Sequence, residues 1–149
     1  MWRKANLFMV GAGALGCELI KSFALMGISI DGKLMVTDMD RIELSNLNRQ
    51  FLFRLNNIGH LKSECATKAA KMMNPEVNYI AQSKKVSPET EDFYDDDFWN
   101  SLSLVIGAVD NIHACKYIDY KCVWFRKPYL ESGTLGAKCH SSVILPHLT

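Results

Sequence analysis

The chain has 149 residues, of which 48% are hydrophobic and 22% are charged, and its formal net charge is +1. These proportions are typical of a single globular domain, and the near-neutral charge argues against nucleic acid or an anionic membrane as a partner. No apolar run approaches the roughly 20 residues that a membrane-spanning helix needs. Five cysteines without a Cys-x-x-Cys pair favour a reducing compartment and argue against a zinc site.

A short apolar strand over residues 7–10 runs directly into a glycine-rich turn, Gly11-Ala12-Gly13-Ala14-Leu15-Gly16. Three glycines at this spacing, after a strand and before a helix, predict a turn that binds phosphate. They allow a tight bend, close approach of the backbone to the phosphate, and close packing of the helix. The first N–H groups of that helix attract an anion. We therefore expect a nucleotide, and the turn alone leaves both ATP and a nicotinamide or flavin dinucleotide open.

The rest of the chain alternates between helical and extended patterns. Apolar residues at helical spacing follow the glycine turn and end at Gly27. We predict further helices over 61–73 and 110–125, a short helix or turn within 88–100, and strands over 33–38, 77–81, 103–107, 128–133 and 137–145. This alternation favours an α/β fold, a Rossmann-like doubly wound and mostly parallel sheet with helices on both faces. Cys139, within the last strand, is expected to face a core.

Polar residues cluster directly after the predicted strands, which is where ligands bind in such folds. Asp38 lies about 20 residues past the glycine turn, where a carboxylate can accept both ribose hydroxyls of an adenosine. Arg49 and Lys62 supply the cations that a triphosphate requires, and Asp110 follows the fourth strand in a position suited to Mg²⁺. A solvated face for Arg49 and Lys62, and a helix cap for Asp110, are the alternatives.

Six segments carry a resemblance to a known family. They are VGAGALGCEL at 10–19, TDMD at 37–40, ELSNLNRQFLFR at 43–54, LKS at 61–63, AVDN at 108–111 and LESGTLG at 130–136. Together and in this order they closely resemble the ubiquitin-activating enzymes, the E1 family of the ThiF/MoeB-like superfamily. The resemblance extends over essentially all 149 residues.

This resemblance implies that the C-terminal carboxylate of ubiquitin, or of a ubiquitin-like protein, attacks the α-phosphate of ATP in the presence of Mg²⁺. It assigns catalysis to Arg49, Lys62 and Asp110, and metal binding to Asp110 with Asp40. The implied nucleotide-binding residues are Gly11, Ala12, Gly13, Gly16, Asp38, Asp40, Asn46, Arg49, Gln50, Lys62, Val86, Asp110 and Asn111.

The resemblance also implies that residues 1–149 are one fragment of an active adenylation domain. The catalytic-cysteine domain, the ubiquitin-fold domain that recruits E2 enzymes, and an inactive adenylation repeat are then expected outside this chain. The implied location is the cytoplasm and nucleus, and the fragment is expected to form no thioester by itself. Two other functions remain open from the residues: a dinucleotide-dependent oxidoreductase, which the glycine turn and Asp38 permit, and a non-catalytic interaction module.

Overall fold

A computed structural model of the chain describes residues 2–135, 137–146 and 148. In chain order its strands and helices are β1 (Asn6–Val10), α1 (Ala14–Met26), β2 (Lys33–Thr37), α2 (Lys62–Met73), β3 (Tyr79–Gln82), α3 (Asp96–Ser101), β4 (Leu104–Gly107), α4 (Ile112–Trp124), β5 (Tyr129–Leu135) and β6 (Lys138–Ile144). Short 3-10 helices occur at Trp2–Lys4, Leu44–Asn46, Leu55–Asn57 and Pro88–Thr90. Across the described ranges, no helix combines the length and apolar character needed to cross a bilayer.

The six strands form one sheet in the order β3-β2-β1-β4-β5-β6. The first five strands of this order pair in parallel, and β6 pairs antiparallel with β5. The central strand β1 therefore has a parallel partner on each side, with Phe8 opposite both Met35 of β2 and Val105 of β4. This is the predicted mostly parallel, doubly wound α/β arrangement, and the predicted fold class is confirmed.

Side chains of β1 alternate between two cores, one on each face of the sheet. Leu7 and Met9 enter the core covered by α1 and α2, whereas Phe8 and Val10 enter the core covered by α3 and α4. Each large apolar side chain buried in these cores contributes about 1.5–3 kcal/mol relative to exposure. Because helices cover both faces of the sheet, only the ends of its central strands remain accessible. The polar residues that follow the strands lie at these ends.

The predicted element boundaries differ from the structure by a few residues. Strand β3 begins at Tyr79 rather than at the expected residue 77, and the carbonyl of Asn78 accepts the N–H of Leu34 just before it. Helix α1 ends as predicted at Gly27, whose positive φ of 65° is a left-handed conformation that glycine adopts easily.

The expectation that Cys139 faces a core is wrong. Cys139 is exposed, as are its neighbours along β6 from Lys138 to Val143. β6 is the edge strand beyond β5, and its last residue Ile144 packs against the core that contains Phe8, whereas Cys139 belongs to neither core.

Candidate functional site

A cleft of about 390 Å³ lies at the carboxyl edge of the parallel strands. It is lined by residues that follow β1, β2, β3 and β4, together with Gly133 and Thr134 at the end of β5. Eleven of the thirteen nucleotide-binding residues named from the sequence line it: Gly11, Gly13, Asp38, Asp40, Asn46, Arg49, Gln50, Lys62, Val86, Asp110 and Asn111. Residues separated by up to 100 positions in the chain thus share one concave surface, as the position of ligands in doubly wound folds predicts.

The glycine turn forms one wall of this cleft. Its backbone packs so closely against neighbouring backbone that Gly11 and Gly16 leave no room for a side chain. Gly11 has φ +104°, and a Cβ atom there would lie 2.4 Å from the carbonyl oxygen of Ala108. A Cβ atom at Gly16 would lie 2.4 Å from the carbonyl oxygen of Gly11, so this glycine allows α1 to pack against the turn. Gly16 and the buried Ala12 are not among the residues that line the cleft.

The N-terminus of α1 is positioned by this turn. Gly13 is the N-cap residue, and no side chain accepts a hydrogen bond from the first turn of the helix at this cap. A helix of 13 residues begins here with N–H groups that no helical carbonyl can pair. Such N–H groups suit the phosphate of a nucleotide.

Asp38 follows β2 and is held by two backbone N–H groups. Its Oδ2 accepts the N–H of Ala12 at 2.7 Å, and its Oδ1 accepts the N–H of Asp40 at 2.9 Å. Burial raises the pKa of Asp38, and the two N–H donors and the Lys62 ammonium oppose that rise without cancelling it. Each carboxylate oxygen keeps a second lone pair, so the group can still accept hydroxyl donors such as those of a ribose.

Lys62, the first residue of α2, forms an ion pair inside the cleft. Its Nζ donates to Oδ2 of Asp40 at 3.1 Å, with only 11% of the lysine side chain exposed against 60% of the aspartate side chain. The predicted phosphate-binding cation and one predicted metal ligand therefore form an ion pair with each other. A cation that is mostly withdrawn from water is well placed to bind a phosphate strongly.

The turn over residues 43–50 brings three predicted residues to the cleft in different ways. Asn46 is buried, and its Oδ1 accepts the N–H of Glu43, which stabilises the turn itself. Arg49 is exposed, and its guanidinium donates to the carbonyl of Ser45 at 2.9 Å. Gln50 is 3% exposed, and its Oε1 has no hydrogen-bond partner among the described residues. An unpaired buried amide oxygen is costly, so Gln50 favours a ligand that donates a hydrogen bond.

The sequence left two roles open for Asp110 at the start of α4: a ligand of Mg²⁺ or the cap of the helix. The N-cap of α4 is Asn111, whose Oδ1 accepts the N–H of His113 at 2.9 Å. The capping role considered for Asp110 therefore belongs to its neighbour, and the exposed Asp110 lines the cleft. Val86 also lines the cleft, but it follows β3, which lies on the other side of β1 from β4; it is 3% exposed.

Sequence reasoning missed two cationic residues of this site. Lys84 and Lys85 line the cleft just after β3, and both are exposed. Two consecutive lysines after a predicted strand were a usable signal, because the carboxyl ends of parallel strands share one edge. Gly133 and Thr134 were quoted only as part of a motif, and they line the same cleft.

The charges of the cleft suit a polyphosphate with a divalent cation. Four lining side chains are cationic, namely Arg49, Lys62, Lys84 and Lys85, and three are carboxylates, namely Asp38, Asp40 and Asp110. Throughout residues 2–135, 137–146 and 148, no cluster of three or more His, Cys, Asp or Glu side chains is arranged to hold a metal. One or two carboxylates fit Mg²⁺, which keeps several waters and binds jointly to protein and substrate phosphates.

Comparison with known proteins gives the family. The ThiF family model matches residues 1–149. The chain is 56% identical over 147 residues to "Ubiquitin-activating enzyme E1 2" of Arabidopsis thaliana, and the match covers 97% of this chain and 14% of that protein. It is 51% identical over 148 residues to "Ubiquitin-like modifier-activating enzyme 1" of Homo sapiens, with 98% and 14% covered.

The similarity therefore covers almost the whole of this chain but only a small part of each relative. The chain spans about one seventh of the length of the curated relatives that it matches, 14% in both cases. The family model, in contrast, matches from the first residue to the last. On that match, this chain belongs to the ThiF family.

Proposed function

We propose that this chain is the ATP-binding part of a ubiquitin-activating enzyme, in which the C-terminal carboxylate of ubiquitin or a ubiquitin-like protein is adenylated. The observation that carries the proposal is the meeting of the glycine turn, Asp38 and the Lys62–Asp40 ion pair in one cleft. The names of the similar proteins, which describe ubiquitin and ubiquitin-like modifier activation, support the same substrate.

The proposed reaction is a displacement at the α-phosphorus of ATP. A carboxylate oxygen of the modifier forms a bond to this phosphorus while the bond to the bridging oxygen of the β-phosphate breaks, and pyrophosphate leaves. No general base is needed, because a C-terminal carboxylate with a pKa near 3.5 is already ionised at neutral pH. The task of the site is to orient the two reactants and to stabilise the negative charge of the phosphates.

The residues of the cleft have separate roles in this proposal. Asp38 accepts the ribose hydroxyls, and the N-terminus of α1 after Gly13 binds phosphate oxygens. Arg49 and Lys62 neutralise the triphosphate, and Lys62 exchanges its present partner Asp40 for a phosphate.

Asp110 and Asp40 are the residues that would hold Mg²⁺, together with phosphate oxygens and water. The ion supplies neutralisation of phosphate charge and orientation of the leaving pyrophosphate. Asp40 Oδ2, which accepts from Lys62, is a hard oxygen that would suit such an ion, and Lys62 would then be available to pair with a phosphate.

The later steps are proposed to involve parts of the enzyme outside this chain. A cysteine thiolate there attacks the acyl carbon of the adenylate, so that a thioester forms and AMP leaves. The inactive adenylation repeat completes the ATP site, and E2 enzymes are bound through another domain. The proposed location is the cytoplasm and nucleus. ThiF family membership and the names of the relatives favour ATP over a dinucleotide, although Asp38 suits the ribose of either.

Thermal unfolding of this chain with Mg-ATP, with ATP plus a chelator, and with NAD tests the proposal. A ligand at 100 times its dissociation constant adds about 2.7 kcal/mol, which raises Tm by about 5–10 °C in a domain of this size. We expect this rise with Mg-ATP and a smaller one after chelation. A rise with NAD alone favours an oxidoreductase, and no rise with either ligand contradicts ATP binding by this chain.

A further inference from the structure

Hydroxyl groups hold one wall of the cleft in place. This wall is the segment Lys84–Val86, which follows β3 and lines the cleft. Thr37 Oγ1 donates to the carbonyl oxygen of Lys84 at 2.6 Å, and Thr90 Oγ1 donates to the carbonyl oxygen of Lys85 at 2.7 Å. Two successive carbonyl groups of the wall are therefore paired with hydroxyls from other parts of the chain.

Tyr94 completes this arrangement. Its hydroxyl lies 3.0 Å from Thr37 Oγ1 and 3.2 Å from the carbonyl oxygen of Lys84. Because the Thr37 proton is used toward Lys84, the Thr37 oxygen acts as an acceptor for Tyr94, and the three groups form a closed triangle. We call the Thr37 hydroxyl, the Tyr94 hydroxyl and the Lys84 carbonyl the hydroxyl clamp.

The clamp connects the wall to the rigid part of the molecule. Thr37 is 1% exposed and Tyr94 is 3% exposed, whereas the lysines of the wall are exposed. The Tyr94 ring lies 5.2 Å from the Phe8 ring of the central strand, and its carbonyl accepts the indole N–H of Trp99 at 3.0 Å. Burial raises the pKa of Tyr94, so its hydroxyl remains a donor at neutral pH.

Thr37 directly precedes Asp38, the candidate ribose acceptor. The N–H of Asp38 donates to the carbonyl of Gln82 at 3.2 Å, so the end of β3 is joined to the residue after β2, next to the clamp. A nucleoside whose ribose is bound by Asp38 lies beside this wall. The phosphate-binding groups at Gly13, Arg49 and Lys62 belong to other segments of the chain.

We propose that Thr37 and Tyr94 are positioning residues of the nucleotide site, which fix the Lys84–Val86 wall beside Asp38 and so set the affinity for the nucleoside end of the ligand. This inference rests on the proposed function of the cleft. Because the clamp fixes the segment beside Asp38, whereas Gly13, Arg49 and Lys62 lie on other segments, it affects binding of ATP more strongly than binding of a bare polyphosphate.

The test compares the dissociation constants of ATP and inorganic tripolyphosphate for this chain and its variants by calorimetry. Tyr94→Phe removes one hydroxyl and keeps the ring contacts, and we expect it to raise the Kd for ATP about three- to tenfold, the effect of one net hydrogen bond. The Kd for tripolyphosphate is expected to rise less than the Kd for ATP. Thr37→Val is expected to act as Tyr94→Phe does, and Thr37→Ser, which keeps the hydroxyl, restores ATP affinity.

Tyr129→Phe is the matched control. Tyr129 is also a buried tyrosine, but its hydroxyl has no hydrogen-bond partner among the described residues, so its removal leaves both dissociation constants unchanged. An unchanged Kd for ATP in Tyr94→Phe contradicts the proposal, and so does an equal weakening of ATP and tripolyphosphate, which indicates general loss of structure.

Amide hydrogen exchange of residues 84–86 separates failure of the clamp from failure of the proposed function. Faster exchange in Tyr94→Phe than in Tyr129→Phe supports the clamp, and equal exchange in the two variants contradicts it. Failure of the unmodified chain to bind ATP counts against the proposed function, and the exchange comparison then still decides whether Tyr94 fixes the wall.

Discussion

Two lysines of this molecule, Lys62 and Lys121, are equally buried and are each paired with an exposed carboxylate, but the residues around the two pairs differ. Lys62 pairs with Asp40 at 3.1 Å, and Lys121 pairs with Glu91 at 2.7 Å. In both pairs 11% of the lysine side chain is exposed, against 60% of Asp40 and 52% of Glu91. A buried ammonium beside an exposed carboxylate is therefore not enough to indicate a binding site.

The difference lies in what else contacts each ammonium and its partner. Lys121 lies 5.6 Å from the centroid of the Tyr117 ring and 5.9 Å from that of Phe125, and the Tyr117 hydroxyl donates to Glu91. The pair thus joins α4 to the segment after Pro88–Thr90 as a structural contact. Lys62 lines an open cleft with other cations, so its pairing with Asp40 can be exchanged.

The largest expected effect comes from removing the charge of Lys62. Lys62→Met keeps a long apolar side chain, and we expect it to weaken ATP binding about 10- to 100-fold, because a hydrogen bond to a charged group contributes about 1.5–3 kcal/mol. Tm without ligand is expected to change little, since the partner Asp40 is mostly in water. Calorimetric titration and thermal unfolding measure the two effects. Wild-type ATP affinity in this variant contradicts the phosphate role.

Asp110→Asn is expected to have the next largest effect, and this effect is limited to the part of ATP binding that depends on Mg²⁺. The substitution keeps the size of the side chain and removes the charge that Mg²⁺ favours, so ATP binding with Mg²⁺ weakens by about tenfold. Titrations with and without a chelator measure it, and the chelator is expected to have a much smaller effect on the variant. A variant as sensitive to chelation as the unmodified chain shows that Asp110 does not hold the metal.

Lys121→Met is the counterpart of the Lys62 substitution and is expected to have the opposite profile. It loses two cation–ring contacts of about 0.5–1 kcal/mol each, so Tm falls by about 2–8 °C in a domain of this size. ATP affinity stays unchanged, because this lysine is not among the residues that line the cleft. Thermal unfolding and ATP titration in parallel give the comparison. Weakened ATP binding with unchanged Tm reverses the roles assigned to the two lysines.

The smallest expected effect is a change in the free energy of unfolding with pH, which depends on Lys62 and not on Lys121. Burial raises the pKa of Asp38 above its usual value of 3.8, so just above that value the folded chain holds more protons than the unfolded chain. Stability therefore falls as the pH rises through this window, whereas ATP binding strengthens as Asp38 ionises.

The two lysine variants sharpen this pH prediction. The Lys62 ammonium lowers the pKa of Asp38, so Lys62→Met shifts the window upward, and Lys121→Met leaves it in place. Unfolding free energies measured from pH 4 to pH 7 for the three chains test this order. The same window in all three chains contradicts an electrostatic contact between Lys62 and Asp38.

The parts of the fold that follow from local pattern were predicted well from the sequence. The strand before Gly11 and the end of α1 at Gly27 each depend on a few neighbouring residues, and each occurs as expected. The edge strand was harder, because alternation at Cys139 indicates a strand without indicating which sheet face, if either, is covered.

The predicted site residues came together because a parallel sheet collects strand ends at one edge, a rule that needs no side-chain detail. The rule does not predict which side chains pair there. The contact of Lys62 with Asp40 depends on the start of α2, and the contact of Tyr94 with Thr37 joins residues 57 positions apart. Lys84 differs in this respect, because it follows β3, which pairs in parallel with β2, and the same rule could have placed it at this edge.

The pairing of β1 with β4 has a consequence for the order in which the molecule folds. Leu7 pairs in parallel with Leu104, so the centre of the sheet closes only after most of the described chain has been made. Contacts between residues so distant in sequence form slowly, because the entropy of closing the intervening loop is lost before the contact stabilises it. The glycine turn, which packs against Ala108, acquires its final shape only then. The proposed nucleotide site is therefore expected to form only after β4 has joined the sheet.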